Sequence, residues 1–398
     1  MTNGRRFDIV VYGATGFTGG LVVEYLAQHG PADLKWAIAG RSQGKLLAAR
    51  ERAARKNPAC KELPILSASA EDRKSLDAMA SATRVVLTTV GPYARYGEAL
   101  VEACVRAGTD YVDITGEPDF VDRMIERYGD EAREKKLRIV SCCGFDSVPH
   151  DLGALFTAQE LKAKEAVTIR GFVRSRAEFS GGTLHSAIGA IVDLGKPRSK
   201  RVAIEKAPPS KEAKSKRKVQ GLPLGIYFEP SVDAWAVPLP TIDPVVVLRT
   251  ARALDVFGPD FRYGHYAAVK RLPTVVGSLI GVGAFAALTK VKATRDMLLK
   301  IREPGEGPSE ETRRKAWFEV TFVGETASGR KVLTRVSGGD PGYDETSKMI
   351  SESALCLAFD RERLPPNYGC VTPGAAMGDA LRERLVAAGM KFQVLRRE

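Results

Sequence analysis

Glycines 13, 16 and 19 in the run Gly13-Ala14-Thr15-Gly16-Phe17-Thr18-Gly19 separate an apolar stretch (FDIVVYG, residues 7–13) from an amphipathic one through Leu21, Val22, Tyr25 and Leu26. A strand that turns into a helix through glycines at this spacing can seat a pyrophosphate. The first glycine permits the tight turn, the second lets the main chain approach the phosphates, and the third lets helix and strand pack closely. N–H groups at the helix start, around Thr15, Phe17 and Thr18, then face the phosphate oxygens. A glycine triplet alone would serve equally as a structural turn; the strand before it and the helix after it point to a dinucleotide. The end of the second strand indicates which one. It reads Ala39-Gly40-Arg41-Ser42, where an NAD-binding domain usually carries an acid for the ribose 2′-OH. A guanidinium pairs bidentately with a 2′-phosphate and stacks on adenine, so Arg41 and Ser42 predict NADP(H) over NAD(H). The plain alternative is that Arg41 is a surface cation.

Other chemistry-bearing residues carry less. Tyr266 and Lys270 have the Tyr-x-x-x-Lys spacing in which lysine lowers a tyrosine's pKa. They stand far beyond the glycine loop, outside the nucleotide-binding half, and the spacing reads as chance. His185 is a lone histidine, a type more often structural than catalytic. Four His and six Cys (Cys60, Cys104, Cys142, Cys143, Cys356, Cys370) show no metal-ligand spacing, so no metal is predicted. Adjacent Cys142 and Cys143 read as small buried residues rather than a vicinal disulfide.

The elements that must position these residues alternate in the first half. Strand-like apolar runs cover residues 7–13, 34–39, 63–66, 84–90, 111–114 and 137–142, with amphipathic helices between them at about 43–56, 71 onward, 97–107 and 120–135. Apolar strands separated by helices imply a parallel sheet covered on both faces. Six of them make a doubly wound, Rossmann-type α/β domain with ligands at the carboxyl ends of the strands. The second half changes period. Residues 167–175, 315–326 and 331–338 alternate apolar and polar, as half-buried antiparallel strands do, with Thr326-Ala327-Ser328-Gly329 as a hairpin turn. Helices are predicted at about 346–359 and 375–388. The expected division is a Rossmann domain over 1–150, an α+β substrate and dimerisation domain with a mainly antiparallel sheet over 151–370, and a C-terminal helix over 371–398.

The chain of 398 residues is 44% hydrophobic and 27% charged, which supports a full core. Its net charge of +12 is concentrated. Residues 196–218 hold ten Lys/Arg against Glu205 and Glu212, with three prolines and little apolar period, and read as a solvated basic insertion. An anionic membrane surface or an acidic carrier could meet it. Nucleic acid is not expected, because no aromatic interleaving or zinc spacing accompanies the charge. Residues 272–289 (LPTVVGSLIGVGAFAALT) are uncharged and lie between Arg271 and Lys290. They are short for a spanning helix, which needs about 20 residues. They read as a buried or dimer-forming segment, or as an interfacial helix at a membrane surface. The start lacks an export signal, so the expected location is cytoplasmic, with association at the inner face of the membrane left open.

Taken together, GATGFTG (13–19), the AGR turn, LTTVGPYARYG (87–97), GTDYVDITGE (108–117), CGFDSVPHDLG (143–153), SGGT (180–183) and TPGAAMGDAL (372–381) resemble the saccharopine dehydrogenase-like reductases. More narrowly, the sequence is similar to the mycobacterial trans-acting enoyl reductase branch, from about residue 7 to about residue 390. One departure is Ser69, where that branch tends to carry Asp at the end of the third strand. The resemblance implies hydride transfer from NADPH to the double bond of a polyketide or lipid intermediate supplied by a separate synthase. It also implies that the last helix returns to the nucleotide domain.

Such a reaction develops negative charge on a thioester oxygen and needs a proton for the α-carbon. Thr89, Val90, Gly91 and Pro92 end the fourth strand and are expected beside the nicotinamide. Tyr96 is the first candidate proton donor, Tyr93 the second and Asp146 the third. Each has a structural alternative: a tyrosine held by a backbone carbonyl, or Asp146 as an N-cap. Glu117 can likewise be only a helix-start carboxylate. Expected partners are a hydrophobic acyl or lipid-like substrate, free or carrier-bound, and a second copy of the chain. Two other functions stay open. A saccharopine-type amino-acid dehydrogenase would need several cations for a dicarboxylate, to which only Arg174 and Arg176 could contribute. A non-catalytic NADP-binding lipid- or membrane-associated protein would keep the loop without turnover.

Overall fold

The computed structural model describes residues 4–177, 217–239, 241–275, 277 and 307–398. The SGGT turn at 180–183, His185, nearly all of the basic insertion 196–218 and most of the apolar segment 272–289 lie outside the described residues. The chain divides into two units. The first is Met1–Val148 with Tyr343–Gly389, and the second is Pro149–Gly342 with Met390–Glu398.

The first unit opens with alternating strands and helices: β1 (Phe7–Tyr12), α1 (Phe17–His29), β2 (Trp36–Gly40), α2 (Gln43–Lys56), β3 (Ile65–Ser67) and α3 (Arg73–Ala82). It continues with β4 (Thr83–Thr88), α4 (Tyr93–Ala107), β5 (Asp110–Asp113), α5 (Pro118–Glu134) and β6 (Arg138–Val140). α6 (Val148–Leu161) then leads into the second unit, which holds β7 (Val167–Arg176), β8 (Lys218–Gly221), β9 (Tyr227–Glu229), β10 (Ala234–Pro238) and α7 (Asp243–Ala253). β11 (Asp260–Val269), α8 (Glu310–Arg314), β12 (Trp317–Thr326) and β13 (Lys331–Gly338) follow. The chain closes with α9 (Asp344–Phe359), β14 (Gly369–Val371), α10 (Pro373–Ala387) and β15 (Lys391–Arg397).

The first sheet has seven parallel strands in the order β14-β6-β5-β4-β1-β2-β3. Six were expected; the seventh, β14, comes from the far end of the chain and pairs Gly369 with Arg138. Its three residues, GCV, are too short to register as a strand pattern. On one sheet face Val10, Tyr12, Val86, Tyr111 and Ile139 pack with Leu76 of α3, Leu100 and Cys104 of α4, and Phe120 and Met124 of α5. On the other, α9 packs against β1, β4, β5 and α1. The chain therefore re-enters this unit at Tyr343, earlier than the expected 371, because α9 as well as α10 belongs here.

α9 is buried along almost its whole length, including Glu345, Ser351, Glu352 and Ser353. Several of its polar groups find partners. Tyr25 Oη donates to Glu352 Oε1 at 2.7 Å, Arg384 Nη1 lies 3.2 Å from Glu352 Oε2, and Ser353 Oγ donates to Met349 O at 2.7 Å. The final residues do not end as helix. They form β15, which pairs with β13 in the second sheet.

That second sheet runs β15-β13-β12-β7-β11-β10-β9, with β8 also paired to β11. The β7–β11 and β8–β11 pairs are parallel and the others antiparallel. The β12–β13 hairpin closes as expected. Gly329 sits at φ +89°, a left-handed conformation that glycine adopts without penalty, and its N–H donates to Thr326 O at 3.0 Å. Tyr266 lies on β11, stacked on Phe172 with ring centroids 5.6 Å apart. In a strand, residues four apart stand about 13 Å from each other, so the Tyr266/Lys270 spacing brings nothing together.

α6 lies against this sheet through Gly153, Thr157 and Leu161, one face of a helix at i, i+4 and i+8. Thr157 Oγ1 hydrogen-bonds Thr334 Oγ1 at 2.7 Å. A Cβ at Gly153 would stand 2.3 Å from Phe322 Cε2 and 3.0 Å from Val336 Cγ2. Gly153→Ala should therefore destabilise the protein by about 1–3 kcal/mol through overpacking, read as a lower urea midpoint at unchanged m-value.

Candidate nucleotide and reduction site

β1 delivers the chain into the glycine turn, where each glycine answers to a different demand. Gly13 takes φ +93°, and a Cβ there would come within 2.8 Å of Thr89 Oγ1 and Val90 Cγ2. Thr89 Oγ1 also donates to Gly13 O at 3.3 Å, tying the end of β4 to the turn. A Cβ at Gly19 would meet Gly13 O at 2.0 Å, so α1 can cross the turn this closely only as glycine. Gly16 differs. It is the exposed N-cap of α1, its φ of −76° suits any residue, and a Cβ would meet only Gly13 O, at 3.5 Å. Neither backbone nor packing requires glycine at position 16. The first turn of α1 carries no acid, which leaves its N-terminus suited to phosphate oxygens. Thr15, Phe17 and Thr18 are half-buried around it, and Phe17 meets the Tyr343 ring edge-on at a centroid distance of 4.8 Å.

At the end of β2, Arg41 and Ser42 are exposed. Ser42 is the N-cap of α2 but makes no side-chain cap bond, and the first turn of α2 contains no acid. The Arg41 charge is near enough to Tyr12 to oppose the burial that raises that phenol's pKa. A guanidinium, a hydroxyl and a helix N-terminus thus share one corner of the sheet edge, a donor set suited to a phosphate dianion. Ser69 accepts from Glu71 N–H at 3.3 Å through its hydroxyl, closing a turn before α3.

The loops after β4 and β5 are held by two carboxylates. Glu117 is the N-cap residue of α5, yet its side chain turns to a different helix. Its two oxygens accept from Tyr93 N and Ala94 N, both at 2.8 Å, and so cap α4. This fixes the loop of Thr89, Val90, Gly91 and Pro92, of which Gly91 and Pro92 are exposed. Asp113, wholly buried at the end of β5, accepts from Thr115 N, Cys142 N and Ser141 Oγ, each at 3.0 Å. It thereby ties the loop after β5 to the loop after β6, where Cys142 takes φ +65°. Burial raises the Asp113 pKa to about 6, against the opposing pull of those hydrogen bonds. Acids at both ends of a wholly buried four-residue strand (DYVD) are the sequence signal, and Asp113 was not among the expected site residues.

The candidate proton donors separate. Tyr93 is buried, donates from Oη to Thr88 O at 3.2 Å and accepts from Ile114 N at 3.4 Å. Burial holds its pKa well above the ordinary value. Its hydroxyl is committed to the backbone, so it braces the site instead of facing a substrate. Tyr96, one turn on, is half-buried with the Arg95 guanidinium 4.9 Å from its ring centroid. Asp146 is half-buried before α6, and burial raises its pKa. It is not the N-cap; Ser147 stands at that position, with its Oγ donating to Asp146 O at 2.6 Å. Beside it, Phe145 N donates to Thr346 Oγ1 at 3.1 Å, a contact supplied by α9.

Residues 9–140 match the saccharopine dehydrogenase NADP-binding domain. A Mycobacterium tuberculosis homologue named trans-acting enoyl reductase is 32% identical over 97% of each chain. A mouse homologue named saccharopine dehydrogenase-like oxidoreductase is 32% identical over 99% of this chain and 98% of its own. This chain belongs to the saccharopine dehydrogenase-like oxidoreductase family. It is an NADP-dependent oxidoreductase, as Arg41 and the glycine loop predicted. Yeast saccharopine dehydrogenase (L-Glu forming) shares the fold, with a TM-score of 0.56 at 14% identity over 98% of this chain and 100% of its own.

Two outcomes follow from this geometry. Gly16→Ala should change folding stability by less than about 0.5 kcal/mol while weakening NADPH binding about tenfold or more, measured by nucleotide fluorescence. Asp113, with a native pKa near 6 and an unfolded value near 4, binds more protons folded than unfolded between those values. Its contribution to stability therefore falls as pH rises from about 4 to 6. Relative to Asp113→Asn, the wild type should lose roughly 2–3 kcal/mol across that window in urea melts at a series of pH values.

Proposed function

We propose that this chain is a trans-acting enoyl reductase, reducing the carbon–carbon double bond of an α,β-unsaturated polyketide or lipid intermediate delivered by a separate synthase. The observation that carries this reading is the full-length similarity to a homologue of that name, 32% identical over 97% of each chain. NADPH, when bound, supplies the hydride. In this reading Gly13, Thr15, Gly16, Phe17, Thr18 and Gly19 seat the pyrophosphate, and Arg41 and Ser42 take the 2′-phosphate. Thr89, Val90, Gly91 and Pro92 border the nicotinamide. Tyr96 Oη delivers the proton to the α-carbon, with Asp146 as a second proton-carrying group on the loop after β6. Tyr93 and Glu117 keep α4 in place beneath them.

The substrate in this reading is a hydrophobic acyl chain, presented on a carrier. The exposed side chain of Leu272, beside Lys270 and Arg271, supports contact with such a chain or with an anionic membrane surface. Among the described residues no helix is long and apolar enough to cross a membrane.

NADPH should bind about 10–100-fold more tightly than NADH, the worth of one charge-assisted pair, and Arg41→Ala should remove most of that preference. With a long-chain enoyl thioester the protein should oxidise NADPH. Tyr96→Phe should lower kcat by about 10²–10⁴-fold, the range for a general acid, with NADPH affinity unchanged. Equal affinities for the two nucleotides would remove the role given to Arg41. NADPH binding with no oxidation by any enoyl thioester would sink the substrate assignment.

A further inference from the structure

His150 on α6, Asp243 at the first position of α7 and His265 on β11 meet inside the second unit. His150 Nε2 lies 3.2 Å from Asp243 Oδ1, and His265 Nε2 lies 3.6 Å from Asp243 Oδ2. No side chain of the three is more than 3% exposed. One ligand atom from each residue stands within 4.8 Å of the others. The two imidazoles meet edge to face, at an interplanar angle of 85° and a centroid distance of 4.7 Å, with both Nε2 atoms turned to the one carboxylate. We propose that His150, Asp243 and His265 form a binding site for a divalent transition-metal ion, zinc by its donor set, with a fourth position for water or another donor.

The donor types and spacing fit that ion. Zinc takes imidazole nitrogen and carboxylate oxygen at about 2.0–2.2 Å, usually in a tetrahedron, which sets ligands roughly 3.3–3.5 Å apart. The separations of 3.2 and 3.6 Å bracket that range. A ligating imidazole must be neutral. Both rings are buried, which favours the neutral form. Tyr263 Oη lies 3.3 Å from His265 Nδ1. The ring nitrogen remote from the ion thus has a hydroxyl partner, the arrangement that orients metal-bound histidines. A dication also offsets the carboxylate's charge where water is excluded. The ion ties the first turn of α6 and the start of α7 to β11, so its loss is felt first as lost stability.

The full chain, produced in zinc-supplemented medium without a polyhistidine tag, should carry about one zinc per molecule by plasma mass spectrometry. His265→Gln and Asp243→Asn should each lose most of it. The unmutated chain gives a second readout where a variant fails to fold. A strong chelator should lower its melting temperature by several degrees, zinc should restore it, and cobalt(II) in zinc's place should give the visible absorption of a low-symmetry site. A metal-free chain whose melting neither chelator nor zinc moves overturns the proposal and leaves a hydrogen-bonded His–Asp–His group. Zinc retained by both folded variants overturns it equally.

Discussion

A parallel sheet has no face that tolerates water, because its strands are apolar on both sides and its crossovers must cover both. The architecture of the first unit follows from meeting that requirement with a chain that leaves and returns. α3, α4 and α5 cover one face from sequence-local crossovers. The other face has α1, and over β4 and β5 it depends on α9, which follows β13 by only a few residues. The nucleotide-binding unit is therefore incomplete until Tyr343–Gly389 has arrived. That dependence explains a helix buried nearly all round with carboxylates inside it. Glu352 is held between the Tyr25 hydroxyl of α1 and the Arg384 guanidinium of α10, and unpaired it would cost several kcal/mol.

With both faces covered, chemistry is confined to the strand ends, where backbone donors are spent in two different ways. At α4 and at the β5–β6 loops the N–H groups are consumed internally, by Glu117 and by Asp113. At α1 and α2 no side chain caps the helix and no acid enters the first turn. Uncapped helix starts are normally destabilising. Two of them stand at adjacent strand ends, one at Gly16 and one beside Arg41, and both suit an anion.

How much of this was legible in the sequence depends on the range of the physics involved. The glycine turn, the five crossovers and the period-two strands are local patterns, and each appears close to where the residues put it, although α4 begins at Tyr93 and not near residue 97. The return at Tyr343 was not legible. A helix over about 346–359 could be read, but the partners that bury its polar residues lie far away in sequence. β14 is too short to carry a period, and β15 draws its register from β13. Within the candidate site, Arg41 and Gly16 could be singled out because each stands next to a strand end. Asp113 was missed because its three donors come from two loops. His150, Asp243 and His265 share no spacing, and only the second unit's fold brings an α6 turn, an α7 start and a strand to one point.

The two tyrosines of α4 show how the element, and not the residue type, assigns chemistry. Tyr93, Gly97, Leu100, Val101 and Cys104 lie on the buried face of the helix, at the three- and four-residue intervals that define one side. That phase carries the Tyr93 hydroxyl under the sheet edge, where Thr88 O and Ile114 N take up its hydrogen-bonding capacity. Gly97 makes the fit possible, since a Cβ there would stand 2.6 Å from the Phe120 ring. Tyr96 lies at the edge of that face and stays half-buried, with the Arg95 guanidinium over its ring. In the proposed reduction, a phenol that gives up a proton and recovers it from water needs this second environment. The first supplies what the second requires, a helix start that does not move.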